Sequence, residues 1–251
     1  MLQATGEDHI WKVNEIEVNK PLLVSLHIPK TAGTTLRCIL ESRFGNAFQP
    51  AYDDPAEDRI VANPECLHGH AILEKFGETL TRDQPQKWIT FLRDPLETAV
   101  SLFHYMRARQ RFEPEHEFGA VDLEDFLTHR KRTQWPNPYG YTHNCYSAWF
   151  RKYGRRLEDF DFVGITERFD ESILLLHRQF GWTIRPYDQV NRGSYRRSAP
   201  PEEAAARFRE LNSEDYALHR RASTMLDRRR AECGPSFASE LESLRSMLPP
   251  A

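Results

Sequence analysis

The chain has no run approaching the roughly 18 to 20 apolar residues that a membrane helix needs, and its N-terminus, MLQATGEDHIWKVNE, carries no signal-type apolar core. No N-x-[ST] sequon occurs anywhere, so nothing marks it as a secretory glycoprotein. Cysteine is scarce: Cys38, Cys66, Cys145 and Cys233 are scattered without a disulfide framework and read as free thiols of a reducing cytoplasm, with Cys38 on the inward face of a helix. Positive charge is not in surplus either. A formal net charge of −3 offers no global attraction to nucleic acid or anionic membranes, so any anion binding has to be local. What remains is ordinary for one globular enzyme domain: 251 residues, 39% hydrophobic and 28% charged. Strand and helix patterns alternate along it, which predicts an α/β fold with a parallel central sheet in a single domain over 1–251.

The most informative segment is Pro21–Arg37, PLLVSLHIPKTAGTTLR. Leu22, Leu23, Val24 and Leu26 predict a short buried strand, and Leu36, Ile39, Leu40 and Phe44 recur at helical spacing. Between them Lys30, Thr31, Ala32, Gly33, Thr34 and Thr35 form a loop able to aim backbone N–H groups at an anion, aided by the helix N-terminal dipole. Lys30 adds a positive charge, the threonines add hydroxyl donors and Gly33 permits close backbone approach. The same loop also reads as a plain polar connection with Thr34 as an N-cap. It is not a Walker A sequence, because Lys30 opens the loop instead of closing it before a Ser or Thr.

Trp88–Arg107, WITFLRDPLETAVSLFHYMR, repeats the design: an apolar strand, a charged turn, then a helix with Leu96, Val100, Phe103 and Met106 on one face. Asp94 is placed to cap that helix and Pro95 suits its first turn. Arg93 therefore lies at a strand's carboxyl end, where ligands collect in open α/β sheets, and Ser101 lies about two turns into the helix.

Between the two segments stands Cys66-Leu67-His68-Gly69-His70. Histidine is the side chain best matched to moving a proton near neutral pH. The pair also reads as a loop-capping structural element or, with Cys66, as metal ligands, although no matching ligand pair sits at a familiar zinc spacing.

Taken together, PKTAGTT and RDPxxxxxS, in this order and each between a strand and a helix, resemble the cofactor loops of sulfotransferases that use 3′-phosphoadenosine-5′-phosphosulfate (PAPS). The resemblance implies a P-loop-like three-layer sandwich. It assigns Lys30–Thr35 to the 5′-phosphosulfate, and Arg93 and Ser101 to the 3′-phosphate. HGH resembles the glycan 2-O-sulfotransferase branch, which implies His70 as general base and His68 as a supporting donor or acceptor contact. It implies in-line sulfuryl transfer to an acceptor hydroxyl, with Lys30 neutralising the leaving oxygen, PAP as product and no metal. Carbohydrate hydroxyls are favoured as acceptors and secondary metabolites stay open. The absence of an apolar anchor favours a bacterial-type cytoplasmic enzyme over the anchored animal glycan enzymes.

The resemblance covers about residues 21–45, 66–107 and 160–230. In the last block, Asp161–Trp182 is similar to the family's third strand–helix unit, with Thr166 at the strand end suited to core, cap or adenine contact. Arg192, Ser194, Tyr195 and Arg196 match a late cofactor loop, and LNSEDYALHRRA is similar to the ends of several family members. Outside these blocks, residues 1–20 read as a lead-in and 45–65 as an exposed acidic loop. Residues 108–145 read as an acceptor-site lid around a short helix at Asp122–His129, in which Arg107, Arg109, Arg111, Lys131 and Arg132 suit an anionic acceptor or serve as plain solvated charges. Residues 202–251 read as a helical tail with no nucleic-acid-binding fold. Two other functional classes fit parts of the pattern: a P-loop kinase using ATP and Mg²⁺, and a non-catalytic nucleotide-binding partner protein.

Overall fold

A computed structural model describes residues 20–53, 60–81, 83–108, 122–128, 142–188 and 199–249. Arg192, Ser194, Tyr195 and Arg196, the lead-in and most of the 108–145 segment, including Arg109, Arg111, Lys131 and Arg132, lie outside the described residues.

The centre is β1 (Leu22–Leu26), whose five residues are all buried. A strand covered on both faces reads as a continuous apolar run, as LLVSL does. It pairs in parallel with β3 (Cys66–Gly69) on one side and β4 (Gln86–Leu92) on the other. Outside these lie β2 (Phe48–Ala51) and β5 (Phe162–Ile165), giving a five-stranded, all-parallel sheet in the order β2-β3-β1-β4-β5. Helices flank it, so the α/β class with a parallel central sheet holds.

Segment 45–65 departs from the expected exposed loop, because residues 48–51 form the buried edge strand β2. Phe48 and Ala51 supply its apolar contacts, and Pro50, which has no N–H to give a ladder, is tolerated because β2 pairs on one side only.

Helix α1 (Gly33–Phe44) buries Leu36, Ile39 and Leu40 towards β2 and β3. Cys38, expected on that inward face, is exposed. After β3 comes α2 (Ile72–Leu80), and after β4 comes α3 (Pro95–Ala108). Asp94 caps α3 as the sequence suggests: its Oδ1 accepts the Glu97 N–H at 3.0 Å. Val100, Phe103 and Met106 of α3 meet Leu123, Phe126 and Leu127 of α4 (Leu123–Thr128) and Phe208 of α7 (Glu202–Leu211) in a second apolar cluster beside the main core. The remaining helices are α5 (Cys145–Lys152), α6 (Phe169–Gln179), α8 (Ser213–Glu232) and α9 (Ser236–Met247). α6 and α8 pack against β5, and α9 packs on α6. No described helix is long and apolar enough to cross a membrane.

The strand order positions the site. From β1 the chain leaves towards β2, and from β4 it leaves the other way towards β5. Right-handed crossovers then put these two connections on opposite faces, so the carboxyl ends of β1 and β4 flank the crevice where open sheets hold ligands.

Candidate functional site

Register brings the sequence-predicted residues to this one edge. Leu26 stands opposite both Gly69 and Thr90, so the segments after β1, β3 and β4 emerge side by side.

The loop after β1 has two non-glycine residues in the left-handed region, Lys30 at φ 69° and Ala32 at φ 65°. Each costs about 1–2 kcal/mol for an L-residue, a conformation that persists where the surroundings over-determine it and that clusters at ligand clamps. Alternation of left- and right-handed residues turns successive N–H groups into a concave anion nest. Ala32 is the N-cap of α1 and provides no side-chain cap, and no acidic residue occupies the first turn. Thr34, the N-cap in the reading of the loop as a plain polar connection, is instead the second residue of the helix. Thr31 is 1% exposed and its hydroxyl donates to the Ile28 carbonyl at 2.7 Å, so it tightens the turn and leaves only its N–H for a ligand. Thr34 is exposed and Thr35 buried.

Gly33 is required by a neighbour the sequence did not reveal. A Cβ there would lie 1.9 Å from His27 Nε2, so the imidazole lies directly against the glycine. His27 Nδ1 is 3.0 Å from the Tyr52 hydroxyl, and its ring stacks on His68 at 5.4 Å between centroids. Burial first, then the positive charges possible on His68, His70 and Lys30, pushes its pKa well below the ordinary histidine value.

His68 and His70 leave β3 in different roles. His68 is fully buried, with Nδ1 2.9 Å from Ser25 Oγ and Nε2 3.3 Å from the Gly33 carbonyl. A carbonyl only accepts, so Nε2 carries the proton and Nδ1 accepts from the Ser25 hydroxyl. Burial lowers its pKa to about 3. His68 is a neutral tie between β3, β1 and the start of α1; of the two contacts expected for it, direct acceptor contact is closed. Gly69 is needed between the histidines because a Cβ would come within 2.0 Å of the Ala51 carbonyl oxygen.

His70 is partly exposed at the rim. Its backbone carbonyl accepts the Tyr153 hydroxyl at 3.3 Å, and its ring faces Tyr52 at 5.0 Å in a T-shaped contact and His27 at 6.2 Å. Arg37 adds a cation, 5.4 Å from the Tyr52 ring centroid and 3.0 Å from Glu41.

On the other side of β1, Arg93 follows β4. Its Nη1 reaches the Lys30 carbonyl at 3.5 Å and its Nη2 reaches Glu97 Oε2 at 3.1 Å, so the two phosphate-type segments touch. Arg93 precedes the Asp94 cap, while Glu97 and Ser101 stand four residues apart within α3, and Ser101 is 2% exposed. The Lys30 ammonium lies 4.1 Å from the Tyr105 ring centroid, a cation–π contact that holds it over α3. At the end of β5, the Thr166 hydroxyl oxygen is buried and has no hydrogen-bond partner among the described residues, so it makes no cap bond there. Among the described residues no group of three or more His, Cys, Asp or Glu is arranged to hold a metal.

His27, Tyr52 and Arg37 are the members that sequence reasoning missed. His27 had a signal, since it stands immediately beyond the β1 strand pattern in the same loop as Lys30. Tyr52 had none, because it follows a strand that was read as loop.

No protein-family model matches the chain, and no curated protein sequence matches it.

Proposed function

We propose that this protein is a sulfotransferase with a P-loop-like sheet, which moves the sulfuryl group of PAPS to a hydroxyl on a carbohydrate or other small metabolite. One observation carries the reading: at the β1/β4 switch point a loop with two left-handed residues, Lys30 and Ala32, meets the Arg93 guanidinium, while His70 stands at the rim across β1. Two separate anion-binding devices joined by a hydrogen bond fit a nucleotide phosphorylated at both ends.

The residues fit that co-substrate chemically. PAPS, when bound, supplies the electrophilic sulfuryl group. The backbone N–H groups of the 30–35 loop would hold the 5′ anion, and Lys30 would neutralise the negative charge that grows on the bridging oxygen. Arg93 would make charge-assisted hydrogen bonds to the 3′-phosphate, with the Ser101 hydroxyl, inside α3, as the second donor. His70 accepts the proton of the acceptor hydroxyl as its oxygen attacks. His27, half-buried, and His68, fully buried, both have pKa values below the ordinary histidine value and so add no positive charge beside His70 near neutral pH. Most of the catalysis is positioning and charge stabilisation.

Calorimetric titration in EDTA with PAP, ADP and ATP tests the reading. Metal-independent binding that requires the 3′-phosphate and weakens in Arg93→Ala is expected. A preference for ATP with Mg²⁺ would move the protein to the kinases. PAP binding without sulfated product across a broad acceptor panel would make it a nucleotide-binding partner protein.

A further inference from the structure

The phrase LNSEDYALHRRA has no place in the chemistry above, yet its residues reach the Arg93 turn by two routes. Asp215, at the start of α8, is 1% exposed and accepts three hydrogen bonds from the start of α5: Tyr146 N–H at 2.8 Å, Ser147 N–H at 3.0 Å and the Ser147 hydroxyl at 3.2 Å. Asn212 holds the same junction, its Oδ1 accepting the Asn144 N–H at 2.7 Å. The first turn of α5, whose leading residue Asn144 is left-handed at φ 45°, thus takes its cap from a helix some 70 residues later. So anchored, Tyr146 donates its hydroxyl to the Arg93 carbonyl at 2.6 Å, and the Tyr146 hydroxyl oxygen in turn lies 2.8 Å from Thr98 Oγ1.

The second route runs along the exposed side of α8. His219 Nε2 is 3.5 Å from Glu167 Oε2, and Glu167 Oε1 accepts the Asp94 N–H at 2.6 Å. Burial raises the Glu167 carboxyl, but the bonds from His219 and the Asp94 N–H outweigh it and hold it below its ordinary value. The peptide joining Arg93 to Asp94 is therefore gripped at both its carbonyl and its N–H, and each grip leads back to α8.

We infer that Tyr146 and Glu167, held by Asp215 and His219 of α8, are positioning residues that aim the Arg93 guanidinium at the 3′-phosphate. The inference rests on the sulfotransferase reading for the identity of the ligand, while the brace itself stands on the hydrogen bonds. The two bonds to the peptide fix where the Arg93 side chain leaves the strand end, and the Lys30 carbonyl and Glu97 carboxylate then hold its guanidinium, so less freedom is lost on binding.

Tyr146→Phe deletes one hydroxyl and keeps the ring. It is expected to weaken PAP binding about tenfold and to leave ADP, which lacks the 3′-phosphate, within twofold. In an Arg93→Ala background the same substitution is expected to change PAP affinity less than twofold, because the two act through one group. His219→Gln is the gentler variant, with about threefold weaker PAP binding expected. Amide exchange reads the brace without ligand: His219→Gln is expected to speed exchange at Asp94 severalfold while β5 amides keep their rates. Equal losses for PAP and ADP, or an undiminished Tyr146→Phe effect on top of Arg93→Ala, would overturn the positioning role. Wild-type protein that binds PAP no better than ADP would instead sink the sulfotransferase reading. The Asp94 exchange rate then decides the brace alone, and an unchanged rate overturns it.

Discussion

Gly33→Ala separates a packing account of the anion loop from a propensity account. By propensity alone the change stabilises, since replacing glycine at a compatible backbone position typically gains about 0.4–1 kcal/mol from the unfolded state. The structure reverses the sign. The new methyl would stand 1.9 Å from His27 Nε2, so the imidazole must leave its place, giving up its bond to Tyr52 and its stack on His68. Overpacking costs about 1–3 kcal/mol and the lost hydrogen bond about 0.5–1.5 kcal/mol, for a total of roughly 2–4 kcal/mol. At about 2–4 °C per kcal/mol for a chain of this size, Tm falls by on the order of 5–15 °C. Thermal and urea denaturation of wild type, Gly33→Ala, His27→Ala and the double variant measure it. Removing the imidazole makes room for the methyl, so the double variant is expected to be no less stable than His27→Ala alone. A Gly33→Ala protein as stable as wild type, or strictly additive losses in the double variant, would refute the packing argument.

His70→Ala is expected to cut turnover by about two orders of magnitude or more, with PAP affinity within about threefold of wild type by calorimetry; wild-type turnover would remove it from the base role. Glu97→Gln frees the Arg93 Nη2 from a carboxylate 3.1 Å away, and PAP is expected to bind severalfold tighter, while unchanged or weaker binding would count against phosphate on Arg93. Stability is expected to fall in mild acid. His68 has a pKa of about 3 in the fold against 6.5 for an ordinary histidine, so between those limits the unfolded chain holds the extra proton and stability drops as pH falls from about 6.5. His68 alone supplies up to about 1.4 kcal/mol per pH unit, and His27 acts in the same direction. Urea midpoints at pH 7.5 and 5 read the slope, which His68→Asn is expected to make shallower; an equal slope would show that His68 is not the group titrating.

The parts legible in the amino-acid order are those whose cause is local. β1, β4, β5 and the helices after each follow from apolar periodicity within a dozen residues, and the start of α3 follows from Asp94 and Pro95 standing next to each other. The sequence also marked Lys30, Arg93 and His70 as candidates, because strand-end positions are readable from a strand pattern that stops. Only the tertiary structure decided which of these meet and what supports them. The order β2-β3-β1-β4-β5 sets loops from distant segments side by side, and no short window carries that information. β2 was misread because its four residues are too few to show a period, and they become a strand only through pairing with β3. His68 and His70, two residues apart, look equivalent in sequence, yet His68 lies inside β3 and is buried on the Gly33 carbonyl 35 residues away, whereas His70 lies beyond the end of the strand, at the rim. The same holds for Tyr146, whose hydroxyl finds the Arg93 carbonyl across 53 residues: a side-chain hydrogen bond of that range depends on the packing of α5 and α8, and on no pattern in the chain itself.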